Sequence, residues 1–404
     1  MTRWTLDDVA RMRLLSHRLV SLRARRHGGA ADGAGDSTTG DAAAGGTGTG
    51  GGSALGPMAT PTDAVRHLAC TQAQDLPGST TSIALRTTGR SLTEVHAAYD
   101  DGEIVRSWPM RGTLFAVAAE DLGWMLSLTA DPVLRSTVKR RDELGLTDEM
   151  LERAQEVARA VVPATGLSRA DLLEAWVEAG LPVEAGRGYH QIFHLAVRGV
   201  ICLGPMRETK GGATEQLFVI AEDWVGSRSL RLDREEAIAE WFRRYVLSHG
   251  PVADKEFLWW TKLLRRDLAP VLDVATEGLA AITVDGSELW VDPEVLETYG
   301  TSARGPGRRA TAVALLLPGF DEIVLGYGDR SAVMTDEQEK GQVVPGKNGV
   351  FRPTVTYRGR ALGTWTRSRA KGAAGSTVDV TPFDGELPAG VAKALPRLAR
   401  QLPT

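Results

Sequence analysis

Cys70-Thr71-Gln72-Ala73-Gln74-Asp75-Leu76-Pro77 separates one short helical run from another, and the conformation of this stretch decides how the chain around it is read. Extended backbone sends alternate side chains to opposite faces, so Gln72 and Gln74 project together while Ala73 and Asp75 point away. On a helix the two glutamines diverge. Paired amides supply donors and acceptors without charge, which suits holding a water or reading a base edge. The same pair is equally at home in a polar surface loop. Asp75, two residues before Pro77, suits a turn.

Working outward, Pro61 fits the first turn of a helix over 62–69, residues 82–86 read as helical, and Ser91-Leu92-Thr93-Glu94 forms a capping box opening a helix to about Tyr99. Short β-like runs follow at 103–105 and 112–117, on either side of Met110-Arg111-Gly112-Thr113-Leu114. Three helices and a two-stranded ribbon predict a winged helix-turn-helix. The pattern recurs. Helical spacing over 148–161, 169–178 and 189–198 precedes β-like runs at 200–203 and 216–220. Helices over 233–247, 253–262 and about 268–274 precede runs at 280–284 and 288–291. Beyond residue 311 strands are expected at 313–317, 322–326, 350–357, 362–366 and 378–380, closed by a helix over 388–401. The expected fold is α+β and α-rich, with tandem winged-helix units over 1–135, 136–229 and 230–300 and a β-containing domain over 301–404.

Two further segments flank the opening stretch. Residues 5–26 have helical spacing with a basic face, which reads as solvated surface or as a phosphate contact. Residues 28–56 are Gly, Ala, Thr, Ser and Asp with almost nothing to bury, and read as a mobile insertion. Gly46, Gly48 and Gly51 match a dinucleotide-binding spacing there by accident, with neither strand before nor helix after.

With 404 residues, 43% of them hydrophobic, the chain can bury a large core. It has no apolar run near the roughly 20 residues of a membrane span, so a cytoplasmic protein without membrane contact is expected. Cys70 and Cys202 belong to no CxxC pair and read as buried apolar groups, leaving neither a disulfide nor a zinc site. His190 and His194 have zincin spacing, but Gln191 replaces the glutamate that mechanism needs, so no metal or other cofactor is expected. Neither a Walker motif nor a serine-nucleophile elbow is present. Trp259-Trp260 reads as core. The net charge of −4 leaves phosphate binding to local patches.

Taken in order, Gln72-Ala73-Gln74, Arg111-Gly112-Thr113-Leu114, Ser248-His249-Gly250-Pro251 with Trp259-Trp260, Leu317-Pro318-Gly319-Phe320-Asp321-Glu322 with Gly328-Asp329-Arg330, and Asn348-Gly349-Val350-Phe351-Arg352-Pro353 resemble the bacterial winged-helix DNA glycosylases of the AlkZ type. The resemblance implies tandem winged helices in a C shape around double-stranded DNA, acting as a monomer and associated with the nucleoid. It also implies excision of bulky alkylated guanines, with unhooking of interstrand crosslinks, often for self-resistance to a DNA-alkylating natural product. The family's catalytic pattern falls on Gln72, Ala73 and Gln74. Phe115 departs from the histidine expected after Thr-Leu, which bears on the lesion pocket, and the 28–56 insertion splits the first unit.

The chemistry of such a site is consistent with these residues. Guanine alkylated at N7 is cationic and leaves without prior protonation, so a strong general acid is unnecessary. Neutral Gln72 and Gln74 can place water against the developing oxocarbenium sugar. No lysine precedes Lys139, so the first unit has no candidate for a Schiff-base lyase, and a monofunctional hydrolase is expected. Asp75 serves either that cationic sugar or a turn. For DNA contact, Arg352, Arg358, Arg360, Arg367 and Arg369 lie in a stretch over 351–371 free of acidic residues, with Arg358-Gly359-Arg360 at the tip of an expected hairpin. Arg135, Lys139, Arg140 and Arg141, and Lys262, Arg265 and Arg266, form secondary basic patches. The alternative is a non-catalytic winged-helix regulator that reads an operator and ignores damage.

Overall fold

The computed structural model describes residues 3–22, 55–209, 211–212, 214–346, 349–368 and 377–404. The 28–56 insertion, apart from Leu55 and Gly56, lies outside them, as do Arg369, Lys371 and the arginines at 23, 25 and 26. The first helix, α1 (Leu6–Ser16), opens with Thr5 and Asp8 each accepting the other's backbone N–H. It is shorter than the sequence suggested, and its basic side chains turn inward. Arg13 donates to the Pro251 carbonyl at 3.2 and 3.3 Å and lies 3.6 Å above the Tyr327 ring, while Arg11 donates to the Arg308 carbonyl at 2.6 Å. Helical spacing shows which positions share a face but not which face meets later chain.

Three helices follow, α2 (Pro61–His67), α3 (Leu76–Leu85) and α4 (Leu92–Asp100), capped by Thr60, Asp75 and Ser91. Between α2 and α3 runs β1 (Cys70–Gln72). The hairpin β2 (Ile104–Met110) and β3 (Thr113–Ala118) turns on Arg111 at φ 55° and Gly112 at φ 67°. Two consecutive left-handed residues match the right-handed twist of the strands, and Gly112 adopts that conformation freely where Arg111 is strained.

The next group comprises α5 (Leu122–Ser136), α6 (Val138–Leu144), α7 (Asp148–Val161), α8 (Arg169–Glu178) and α9 (Arg187–Val197). Its hairpin, β4 (Ile201–Glu208) and β5 (Thr214–Ile220), joins the first through Arg106 opposite Leu203. The ribbons expected as separate thus form one antiparallel sheet, ordered β1-β3-β2-β4-β5. Then come α10 (Ala221–Val225), α11 (Arg234–His249), α12 (Asp254–Thr261), short helices Arg265–Leu268 and Leu272–Thr276, and the hairpin β6 (Ala280–Val284) and β7 (Ser287–Val291). Trp241, Phe242, Tyr245, Phe257 and Trp260 fill this core.

The C-terminal sheet is ordered β11-β10-β9-β8, from β8 (Ala314–Leu317), β9 (Thr354–Tyr357), β10 (Arg360–Ser368) and β11 (Thr377–Pro382), with the closing helix Ala389–Arg400 against it. The strand expected at 322–326 is instead a helical turn, Glu322–Leu325, because the Asp321 carboxylate caps it by accepting the Ile323 N–H at 3.0 Å. Among the described residues, no helix is long and apolar enough to cross a membrane.

Candidate active site at the edge of the five-stranded sheet

The glutamine stretch is extended only as far as Gln72, where β1 ends with Gln72 opposite Phe115. The Ala73 N–H still donates to the Leu114 carbonyl at 2.8 Å, and the chain then bends. Burial does not alternate here as extended backbone predicted: Thr71, Gln72 and Ala73 are all buried, Gln72 only 6% exposed, whereas Gln74 and Asp75 are both exposed because the chain bends after β1. The Gln72 Oε1 accepts the Gln74 N–H at 3.2 Å, which fixes its amide relative to the following residue. Gln74 Oε1 lies 3.5 Å from the Leu114 N–H. Arg106, otherwise desolvated, donates to the Ala73 and Gln74 carbonyls at 2.6 and 3.3 Å and braces the bend from below. Asp75 takes the turn role, accepting the Gly78 N–H at 3.0 Å as the cap of α3.

The sequence did not reveal what holds β1 in place. Glu322, from the loop after β8, accepts the Gln72 N–H through Oε1 at 2.6 Å, and its Oε2 faces His249 Nε2 at 3.6 Å. Asp321 beside it takes both Arg86 Nη atoms at 2.9 Å, and Ser82 Oγ donates to it at 2.7 Å. This ion pair is fully buried, and Arg86 holds the Asp321 carboxyl below its usual range against the opposing effect of burial. His17 sits on the other side of Arg86. Tyr327 donates to the His249 carbonyl at 2.9 Å, so at 2.8 Å His17 Nε2 must donate to the Tyr327 oxygen, leaving Nδ1 to accept from Arg86 at 3.3 Å. Burial then pushes the His17, His67 and His249 pKa values down, that of His67 to about 3, and keeps the three rings neutral. The Ser-His-Gly-Pro and Pro-Gly-Phe-Asp-Glu stretches therefore serve Gln72 indirectly, through its backbone.

Arg111, in the turn two residues ahead of β3's Thr113–Leu114 start, is half-buried, and its buried Nε has no hydrogen-bond partner. Its guanidinium lies 5.4 Å from the Phe115 ring and 5.2 Å from the Trp259 ring. Lys262 and Arg330 approach the same indole at 5.1 and 5.5 Å. Trp260 is core, as expected, but Trp259 is half-buried and surrounded by cations. Arg330 also reaches Phe351, which touches Phe320. A basic and aromatic surface thus runs from Arg111 past Trp259 to Phe351.

The structure divides the expected DNA-binding arginines. The β9–β10 tip does not project: a Cβ on Gly359 would collide with the Ala10 carbonyl of α1, and Arg360 pairs with Asp7 at 3.2 Å. The hairpin formed as expected, on Arg358 at φ 55° and Gly359 at φ 81°, but its tip is packed on α1. Arg358 stays exposed beside Tyr357. Arg352 follows Phe351, whose carbonyl abuts Gly319, and Gly319 in turn abuts Gly78 of α3, so exposed Arg352 belongs to the glutamine side. Arg367 is exposed near the end of β10. In the secondary patches Arg140, Arg141 and Arg265 are ion-paired, whereas Lys139, Lys262 and Arg266 are exposed. Among the described residues His190 and His194 belong to no group of three or more side chains that could hold a metal, and the two cysteines are buried thiols.

The profile of the family described as DNA glycosylase AlkZ-like matches residues 65–401, which spans the glutamine pair, the Glu322 brace and the C-terminal sheet. The chain belongs to this family. It is a DNA glycosylase, and the regulator alternative falls away. A relative described as an interstrand DNA cross-link repair glycosylase, from Streptomyces sahachiroi, is 26% identical over 325 residues, 77% of this chain and 84% of the relative. The solved structure of Streptomyces sahachiroi DNA glycosylase AlkZ is similar in fold, with a TM-score of 0.71 at 20% identity over 99% of both chains.

Proposed function

We propose that this glycosylase hydrolyses the N-glycosidic bond of bulky, cationic N7-alkylguanine adducts in duplex DNA, with Gln72 and Gln74 orienting the water. The supporting observation is the state of the carboxylate that follows the pair in the chain and of the one that contacts Gln72. Asp75 caps α3 and Glu322 holds the Gln72 N–H, so both are already engaged. A site built on neutral amides has no strong acid to give a leaving base, and its substrate must therefore carry its own positive charge. The three helix groups and their hairpins act as winged helices forming a C-shaped cradle for DNA, with Arg352 and Arg367 on the phosphates. The named activity of the relative extends the substrate range to interstrand crosslinks. Reaction is monofunctional, with water as nucleophile.

The test is single-turnover release of base from a duplex carrying one bulky N7-alkylguanine. Wild type is expected to release it, and Gln72→Ala/Gln74→Ala to lose nearly all release with DNA affinity unchanged. Wild-type rates in the double variant would remove the glutamines from the chemistry. Borohydride should trap no protein–DNA adduct, and trapping that disappears in Lys262→Ala would make the enzyme a lyase.

A further inference from the structure

A cavity of about 440 Å³ opens where α5, α9, the end of α12 and the β2–β3 turn meet. Its walls are mostly apolar, from Leu128, Pro132, Val133, Tyr189, Phe193 and Leu263, with hydroxyls of threonine and serine and the His190 ring among them. Pro132 lies within α5 and has no N–H to give the Leu128 carbonyl, which leaves an acceptor in that wall. Tyr189 and Phe193, one helical turn apart on α9, lie 6.2 Å from each other with ring planes 23° apart, and Tyr189 is 40% exposed. An exposed aromatic continuing a buried one is a ready stacking surface. No carboxylate lines the cavity, and its charged members are Arg111 and Lys262.

The cavity adjoins the glutamines. Gly112 lines it and packs 3.7 Å from Phe193 by the position its Cβ would take. Leu114, two residues on and so about 7 Å along the strand, is the residue whose carbonyl accepts the Ala73 N–H and whose side chain joins Phe193 in one core cluster. Arg111 spans the gap, lining the cavity while lying against Phe115, the partner of Gln72 in the sheet.

We propose that this cavity is the binding site for the non-nucleobase part of the lesion: a flat, apolar, aromatic substituent carried on guanine N7, stacked on Tyr189 and Phe193, with Arg111 and Lys262 facing the flanking DNA phosphates. The proposal rests on the reaction assigned above and names its substrate class. A methyl group is too short to enter the cavity, whereas a fused-ring substituent reaches in and lies on the stacked rings, so the site discriminates by the adduct rather than by the base.

The experiment compares equilibrium binding of two duplexes, one with N7-methylguanine and one with N7-(1-naphthylmethyl)guanine, to the inactive Gln72→Ala/Gln74→Ala protein. That protein is expected to prefer the naphthyl duplex by about tenfold, the scale of one aromatic stack. Adding Tyr189→Ala, or Ser136→Trp to fill the cavity, is expected to erase the preference while leaving methyl-duplex affinity unchanged. Equal affinity for both duplexes, a preference that survives both substitutions, or a parallel loss for both duplexes would overturn the proposal. Release rates in the Gln-intact enzyme separate this from failure of the proposed reaction: no release of either base removes the N7-alkylguanine reading and this proposal with it, while release with no naphthyl preference removes the cavity alone.

Discussion

The backbone N–H of Gln72 and the Glu322 carboxylate are 2.6 Å apart and 250 residues distant in sequence. The edge strand bearing the candidate catalytic pair is thus pinned by a carboxylate from the C-terminal part of the chain. Glu322→Ala leaves a buried N–H without an acceptor, destabilising by about 1–3 kcal/mol. It should also slow base release on the order of a hundredfold, as misplaced groups do. Glu322→Gln keeps an acceptor and should recover most of the rate with unchanged DNA affinity. Equal loss in both variants, read by single-turnover kinetics, would mean that the charge and not the position of Glu322 matters.

The Arg86–Asp321 pair is sealed from solvent, so losing one partner strands the other. Asp321→Ala should cost about 3–5 kcal/mol in urea unfolding. Arg86→Met/Asp321→Leu should be milder than either single variant. A single variant no worse than the double would place the pair closer to solvent.

Acid should unfold the protein early. His17, His67 and His249 have folded pKa values pushed below 6.5 by burial, that of His67 to about 3. Between the folded and unfolded values the unfolded chain binds more protons, so stability is full above about pH 6.5 and falls as the pH drops toward 3. Each histidine contributes a slope of up to about 1.4 kcal/mol per pH unit. Thermal unfolding should therefore show a lower Tm at pH 5 than at pH 7.5, and His67→Gln should flatten the difference. An unchanged Tm would show that the rings protonate freely in the native state.

DNA affinity should fall steeply with salt, by a slope of about 0.9 per phosphate contact. Arg352→Ala/Arg367→Ala should reduce that slope by nearly two. Arg358→Ala/Arg360→Ala should change it less, because Arg360 is paired with Asp7 and the tip rests on α1. Equal reductions would mean that the tip leaves α1 on binding.

Most elements were legible from local signals. The Ser91 cap placed α4 and Pro61 placed α2, and the β-like runs at 280–284 and 288–291 became the hairpin β6–β7. The glutamine stretch was legible as extended backbone for the same reason, since periodicity is a local property. What escaped were relationships between distant segments. Residues 322–326 are apolar enough for a strand, and only the Asp321 carboxylate, itself fixed by Arg86 from α3, makes them a helical turn. Arg360 looked like a DNA ligand, and Arg13 like part of a solvated or phosphate-facing surface, because charge in a sequence does not reveal that a carbonyl or an aspartate from elsewhere already faces it. Glu322 and His249 stood within recognisable motifs, yet their task of bracing one strand exists only after folding.

The distance in sequence between Gln72 and Glu322 also has a consequence during synthesis. A nascent or truncated chain lacking the segment beyond β8 has the glutamines but not the carboxylate that seats them. The earlier helices and hairpins can fold while the ribosome is still adding residues, yet the edge strand remains unpinned until the loop after β8 emerges. On the role proposed for the glutamines, hydrolytic competence is therefore acquired only once Glu322 has left the ribosome, and chains that stop before it lack the completed site.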